Sequence, residues 1–463
     1  MSHRSVTDNS VNTFLTLPVG RLFLRTALPM AVVMSTGGLL SVVDGIFVGR
    51  FVGPDALAAV SLSFPVVMLL TALSTLAGGG MASLAARHLG AGDKAMAGRV
   101  FAGAHGLALA LSAGVWLLAW LLGPVLLPLL AGGNTALVAP ARAYLAILIL
   151  GAPLQLALSV HADLLRSEGR AGVIALLSVL VNLLNIAANA LFILWLDMGV
   201  AGSALGTVLA QGLGLALLLG VRGRDPALLL GVRGRDQALV PLAALARESW
   251  RRGWARMLAL GLPLCLSFIG MALVSGVVLL MLGGSDPVVI AAYGVATRLL
   301  GFAFLPLMAI ALAVQSISGN NAGAGRMARA RAGLRLGAGS AGLWCLLVMA
   351  LGAFAGEALG ALFSDAPGVA EALAPILRMM TALYVVSGPG LVLAMHYQAL
   401  GQPGRTALLT LVKPWLLTPA LILSLSAVYG PQALWLAFPL ADALVALMAL
   451  VLVTRQNRMG EPA

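Results

Sequence analysis

The chain has 463 residues, is 60% hydrophobic, carries only 10% charged side chains and has a mean hydropathy of +1.02. That composition fits an integral membrane protein and little else, which sets aside ordinary soluble folds. A net charge of +12 would suggest nucleic acid in a soluble protein, but here the basic residues fall in alternate loops between apolar runs, so no nucleic-acid partner is expected. The first twenty residues lack the pattern of a cleaved signal peptide. Cys265 and Cys345 sit inside apolar segments and offer neither a disulfide framework nor metal spacing.

Apolar runs cover about 22–49, 55–82, 100–124, 136–163, 171–197, 200–220, 257–283, 288–317, 334–356, 372–398, 406–428 and 432–454. Most approach or exceed the ~20 residues needed to cross ~30 Å of hydrocarbon, so we expect an all-α integral membrane protein with twelve transmembrane helices. One set of loops holds most of the 28 Lys and Arg residues, among them Arg87, Arg99, Arg166, Arg170, Arg252, Arg256, Arg326, Arg329 and Arg405. The positive-inside rule then puts both termini in the cytoplasm of a multi-pass inner-membrane protein.

The longest polar interruption, 221–256, contains a tandem copy: ALLLGVRGRD at 216–225 recurs at 227–236. It reads as a duplicated cytoplasmic linker between an N-terminal lobe, 1–220, and a C-terminal lobe, 257–463. The lobes look alike. LGAGD at 89–93 answers NAGAG at 321–325, so Gly90 and Gly92 fall on Gly323 and Gly325; Pro29 and Pro263 open equivalent helices. His161 and His396 each start a His-x7-Gly-Arg string and read as equivalent, with helix-end hydrogen bonding favoured over a proton relay. Six spans per half give both repeats the same orientation, with a pseudo-two-fold axis along the membrane normal and a cavity near the midplane.

No Walker A lysine, Gly-x-Ser-x-Gly, His-Glu-x-x-His or Cys-x-x-Cys is present, so neither a nucleotide-driven pump nor an enzyme has residues to stand on, and no cofactor or metal is expected. Asp44 is the chief functional candidate. A carboxylate at a bilayer centre costs ~2.5–3.5 kcal/mol on insertion scales, a cost accepted most readily where the acid faces a cavity. Pro29, fifteen residues earlier, lets that helix bend. Asp44 lies nineteen residues after Arg25, and Asn189 nineteen after Arg170, so both stand at one depth on outward-running helices. Asn185 is a turn below Asn189, and Thr207 reaches a similar level from outside. The four are placed to meet in the outer half of the N-terminal lobe, either as a functional network or, for the Asn and Thr residues, as glue between helices. The same arithmetic puts Arg298 and Asp442 at mid-membrane depth, where a buried ion pair would hold helices in register. Asp163 falls near the inner interface, and Lys413 and Arg378 are close enough to helix ends to snorkel.

LPMAVVMSTGGLLSVVDGIFVGRFVGPDALAAVSLSFP, then LAARHLGAGDKAMAGR, then VNLLNIAANALFI and GVAGSALGTVLAQ, resemble the multidrug and toxic compound extrusion (MATE) family, with signatures in both halves. The resemblance implies two six-helix lobes forming a V, and export of amphipathic, often cationic, small molecules by antiport against protons or sodium ions. It implies that Asp44 is the cation-coupling group, that Pro29 is where the first helix bends, and that Asn185 and Thr207 belong to the surrounding polar network. Asp163 matches a family asparagine late in helix four, which implies that it joins Asp44, Asn185, Asn189 and Thr207 in the cation-coupling and substrate network. Asn189 stands where one branch has a second aspartate, which leaves one carboxylate in this lobe. The helix-seven acid of the sodium-coupled branch is missing, since Val274 to Met281 offers only apolar residues, Ser275 and Gly276. We therefore expect a monomeric secondary-active exporter, proton coupling ahead of sodium. The rival transport reading is a flippase for lipid-linked intermediates, whose cavity should be basic; the rival outside transport is a membrane scaffold or receptor.

Overall fold

A computed structural model describes residues 12–130, 135–223, 240–283, 286–363 and 368–458. Without water in the hydrocarbon layer every backbone group must pair within its own segment, and the apolar runs accordingly form helices. Six precede the linker: α1 (Val19–Phe47), α2 (Phe64–Gly90), α3 (Lys94–Leu130), α4 in two pieces (Thr135–Leu150 and Ala152–Ser167), α5 (Ala171–Asn189) and α6 (Gly199–Gly223). Six follow it: α7 (Trp254–Met281), α8 (Pro287–Gly323), α9 (Met327–Phe354), α10 in two pieces (Val369–Thr381 and Tyr384–Ala399), α11 (Pro403–Val412, continued as Thr418–Tyr429) and α12 (Ala437–Arg458). Ten are long and apolar enough to span a membrane as single elements, and α4 and α10 complete twelve as broken spans bent by 46° and 50°. Among the described residues there is no strand. The second linker copy, 227–236, lies outside the described residues, as do Arg4 and Asp365.

Large side chains such as Leu28, Trp120, Leu343 and Phe354 are exposed, as a lipid-facing surface requires. The interior joins the lobes at the arginine-rich end, where α2, α4, α8 and α10 finish. Gly90 of α2 lies against the backbone carbonyl of Asn320 on α8, and Gly323 of α8 against that of Arg87 on α2. The two contacts exchange under the repeat, as a two-fold axis demands. The antiparallel pair α2 and α7, which the repeat does not exchange, is held equally close, with Gly80 on Met257 and Gly261 on Leu76. Only glycine lets backbones approach this closely. Each lobe also lends its partner part of a core. Leu22, Phe23 and Ala27 of α1 pack among Leu264, Leu307, Val314 and Met395, while Met257 and Leu260 of α7 pack among Met81, Phe101 and Leu164.

A short helix at Thr13–Thr16 closes the seam from below. Phe14 is fully buried, Arg329 donates to the carbonyls of Phe14 (3.1 Å) and Leu17 (2.6 Å), and Asn12 donates to Asn320 Oδ1 (2.9 Å).

The repeat corrects one sequence equivalence. α4 and α10 each end on a glycine with positive φ, Gly169 (81°) and Gly401 (79°). Counted from those ends, His161 lies six residues before the close of its helix at Ser167 and His396 three before the close at Ala399, so the two histidines are not equivalent. The Gly-Arg strings align in sequence, but the backbone aligns on the left-handed turn. Neither histidine serves a helix end: His161 Nε2 meets His105 Nε2 at 3.1 Å, and His396 Nδ1 meets Ser318 Oγ at 2.7 Å.

The crossing gives a direct expectation. Gly323→Ala drives a methyl into the Arg87 carbonyl and should cost ~1–3 kcal/mol through overpacking, read as a lower melting temperature of the purified protein. Gly339→Ala, on open space in α9, should melt at or above the parent.

Candidate functional site

α1 runs unbroken through Pro29. The proline has no N–H, so the Arg25 carbonyl loses its usual helical partner. At the far end the helix widens into a π-turn at Val48–Val52, one turn past Asp44, whose carbonyl accepts from Val48. α5 widens likewise, at Ala190–Trp195, straight after Asn189. Such turns recur at functional sites because they re-aim the side chains beside them.

Between the two widened helices the four polar residues meet. Asn189 Nδ2 donates to Asp44 Oδ1 at 2.7 Å and to Asn185 Oδ1 at 3.2 Å; Asn185 Nδ2 donates to Thr207 Oγ1 at 3.1 Å, and Thr207 donates to the Ser203 carbonyl. Asn185 and Asn189 are buried, while Asp44 stays half-buried. Gly206 of α6 is required here, because a β-carbon at that position would strike Asn189 Oδ1. That oxygen has no hydrogen-bond partner among the described residues, and neither has the buried Asn182 Nδ2. The group thus consists of one carboxylate, neutral donors and acceptors, and unused polar atoms beside it. Tyr144 of α4 stands within electrostatic range of Asp44. Sequence reasoning missed it, since a lone tyrosine in an apolar run looks like core; its depth, opposite Asp44, was the available signal.

Asp163 is not part of this group. It pairs at 2.7 Å with Arg166 one turn along α4, in space that Gly78 leaves free. The Arg166 guanidinium, 1% exposed, crosses the seam to Gln315 Oε1 (2.8 Å), Ser316 Oγ (3.0 Å) and the Leu312 carbonyl (3.0 Å) on α8. Gln315 passes the chain on to Gln398 of α10, and Gln398 to the Leu260 carbonyl of α7. This is a bridge between lobes.

The expected Arg298–Asp442 pair does not form. Arg298 is exposed and makes no ion pair among the described residues, whereas Asp442, 3% exposed, holds the Lys413 ammonium and the Ser387 hydroxyl. Equal depth gave the height of each charge but not its direction around the helix. Lys413 opens the π-turn Lys413–Leu417, where Pro414 cannot continue the helical hydrogen bonding, and the turn aims it inward instead of letting it snorkel. Among the described residues no group of three or more His, Cys, Asp or Glu could hold a metal ion.

Losing one partner of this buried pair strands the other. Lys413→Met should destabilise the protein by ~3–5 kcal/mol, and Lys413→Met with Asp442→Leu should recover most of that in a thermal-melt double-mutant cycle. Arg298→Gln should leave the melt unchanged.

Comparison with known proteins agrees with this architecture. A sequence model of the MatE family matches residues 29–191 and again 263–421, one copy in each lobe. The chain is 26% identical over 448 residues to an FAD transporter of Shewanella oneidensis, covering 95% of this chain and 96% of that protein. It is also 26% identical over 455 residues to the multidrug export protein MepA of Staphylococcus aureus, covering 96% of each. Its fold superposes with a TM-score of 0.85, at 24% identity and over 96% of this chain and 97% of the other, on a multidrug resistance MATE family transporter of the MOP superfamily in an outward-facing conformation.

Proposed function

Because this chain belongs to the MatE family of membrane transporters, we propose that it is a secondary-active exporter that moves amphipathic, often cationic, compounds out across the cytoplasmic membrane by antiport, with Asp44 as the coupling group. The observation that carries this is the 2.7 Å bond from Asn189 to Asp44 inside an otherwise uncharged network. One carboxylate among neutral partners can serve a cationic substrate or a coupling ion, but not both at full strength. Binding of the ion to Asp44 cancels the counter-charge that held the substrate and lets it leave. Deprotonation toward the cytoplasm restores it. Pro29 supplies the weak point at which α1 can bend as the Asp44 group changes state.

Protons are the favoured coupling ion. Sodium requires several oxygen ligands, ordinarily with more than one formal negative charge, and this group holds only one; a proton requires only the carboxylate. The arginine-rich end of the molecule then faces the cytoplasm by the positive-inside rule, with Asp44 in the outer half. A second reading has its own support: a relative named as an FAD transporter aligns over 95% of the chain, so a flavin dinucleotide is a substrate to be tested beside cationic dyes.

Asp44→Asn keeps the shape and removes titration. In cells lacking other pumps it should reach the membrane at normal levels and lose efflux of a fluorescent cationic dye at every pH. Release of flavin by the parent, with no dye efflux, would replace the multidrug reading with the second one. In sealed vesicles the parent should follow an imposed pH gradient with or without sodium; transport that follows only a sodium gradient overturns the choice of ion.

A further inference from the structure

The end of α2, the start of α3, the turn before α7 and the end of α8 surround a basic cavity on the seam between the lobes. It comprises two hollows of about 240 Å³ and about 90 Å³ that share His88 and Arg256 on their walls. Arg87 lines the larger, Arg99 and Arg252 the smaller, and Gly323 of α8 closes the larger from the opposite lobe. Among the described residues no carboxylate lines either hollow. Two acids stand nearby: Glu248 takes Arg99 at 3.3 Å, and Asp93 faces His88 while accepting from the Met96 amide at 2.9 Å. Arg252 and Arg256 are exposed and have no acidic partner among the described residues. Among the described residues Arg87 has one long hydrogen bond, 3.4 Å to the Leu400 carbonyl of the opposite lobe, and no acceptor for its buried Nε.

The fold holds these charges together. The turn carrying Trp250 and Arg252 is pressed onto Gly103 and Gly106 of α3, where a β-carbon would strike the carbonyls of Arg252 and Trp250. Trp254 Nε1 fastens the turn with bonds to Gly103 (2.9 Å) and Trp250 (2.8 Å). Arg256 is thereby kept within electrostatic range of Arg87 and His88. Like charges gathered around a hollow are costly until an anion occupies it. Guanidinium forks match phosphate oxygens, and basic pockets between helices at the cytoplasmic surface suit phospholipid headgroups. Leu84, Met96 and Val100 supply an apolar wall, and the two tryptophans mark the depth of a membrane interface.

We propose that this cavity binds a phosphate group, presented by the headgroup of an anionic phospholipid. Because the ligand contacts Arg87 and Arg256 with Gly323 of the other lobe behind it, its occupancy holds the seam shut.

The test uses the full chain, purified in detergent, and follows melting temperature against added short-chain phosphatidylglycerol, phosphatidylcholine or inorganic phosphate. Phosphatidylglycerol should raise the melting temperature of the parent and phosphatidylcholine should not. Arg252→Gln with Arg256→Gln, both at exposed positions, should fold and bind roughly 30-fold more weakly, each charge contributing about a factor of five. Arg251→Gln, on the same turn but off the cavity wall, should bind as the parent does. Inorganic phosphate acting as strongly as the lipid would keep the phosphate site and assign it to the free ion. No response to either compound overturns the proposal, and so does an equal loss in Arg251→Gln, which would mean diffuse surface charge.

Discussion

Everything in this molecule hangs on two glycines that let two backbones touch. Gly90 and Gly323 bring α2 and α8 together carbonyl to Cα, and the same contact made twice fixes the two-fold axis of the whole chain. Around it the lobes trade core residues, α1 giving Phe23 to one and α7 giving Met257 to the other. In a membrane, burying apolar side chains against each other wins little over burying them in lipid, so close packing and hydrogen bonds between helices carry more of the cohesion. The Arg166–Gln315–Gln398 chain and the Phe14 helix supply those bonds at one end only. The polar group at Asp44 lies beyond that joint, within its own lobe, free to change its state without breaking the seam's hydrogen bonds.

The N-terminal lobe was largely legible in the sequence. Helices of known rise, starting at marked interfaces, put Asp44, Asn185, Asn189 and Thr207 at one height, and the i, i+4 spacing of the two asparagines put them on one face. The hydrogen bonds followed from those two constraints. The C-terminal lobe was not, because only height was available. Depth matched Asp442 with Arg298 and left Lys413 near a helix end, whereas the π-turn at Pro414, which no period of 3.6 anticipates, aims Lys413 at Asp442. Asp163 shows the reverse: depth put it near the inner interface, where Arg166 three residues on holds it at the seam, while the family pattern sends it toward the Asp44 group.

The repeat was legible where it rests on backbone and misleading where it rests on side chains. Gly92 and Gly325 both take positive φ, 78° and 70°, because a left-handed turn admits few other residues. His161 and His396 had no such obligation, and a slip of three residues between the strings that contain them passed unnoticed in the letters. The short helix at Thr13–Thr16 was invisible for another reason: four residues carry no period, and much of the cluster that buries Phe14 lies some three hundred positions away.

The glycine joint has a mechanical consequence. α2 has 27 residues, about 40 Å at ~1.5 Å per residue, and its contact with α8 sits at one tip. A second clasp lies halfway along, where Leu76 and Gly80 meet Gly261 and Met257 of α7, so only the stretch of α2 from Phe64 to about Leu76 is free to swing. A tilt of about 10° at that clasp would sweep the Phe64 end, about twelve residues or ~18 Å away, through roughly 3 Å. Any parting of the lobes that α2 allows is therefore confined to its short outer stretch, with everything from Leu76 to Gly90 held fast to the other lobe.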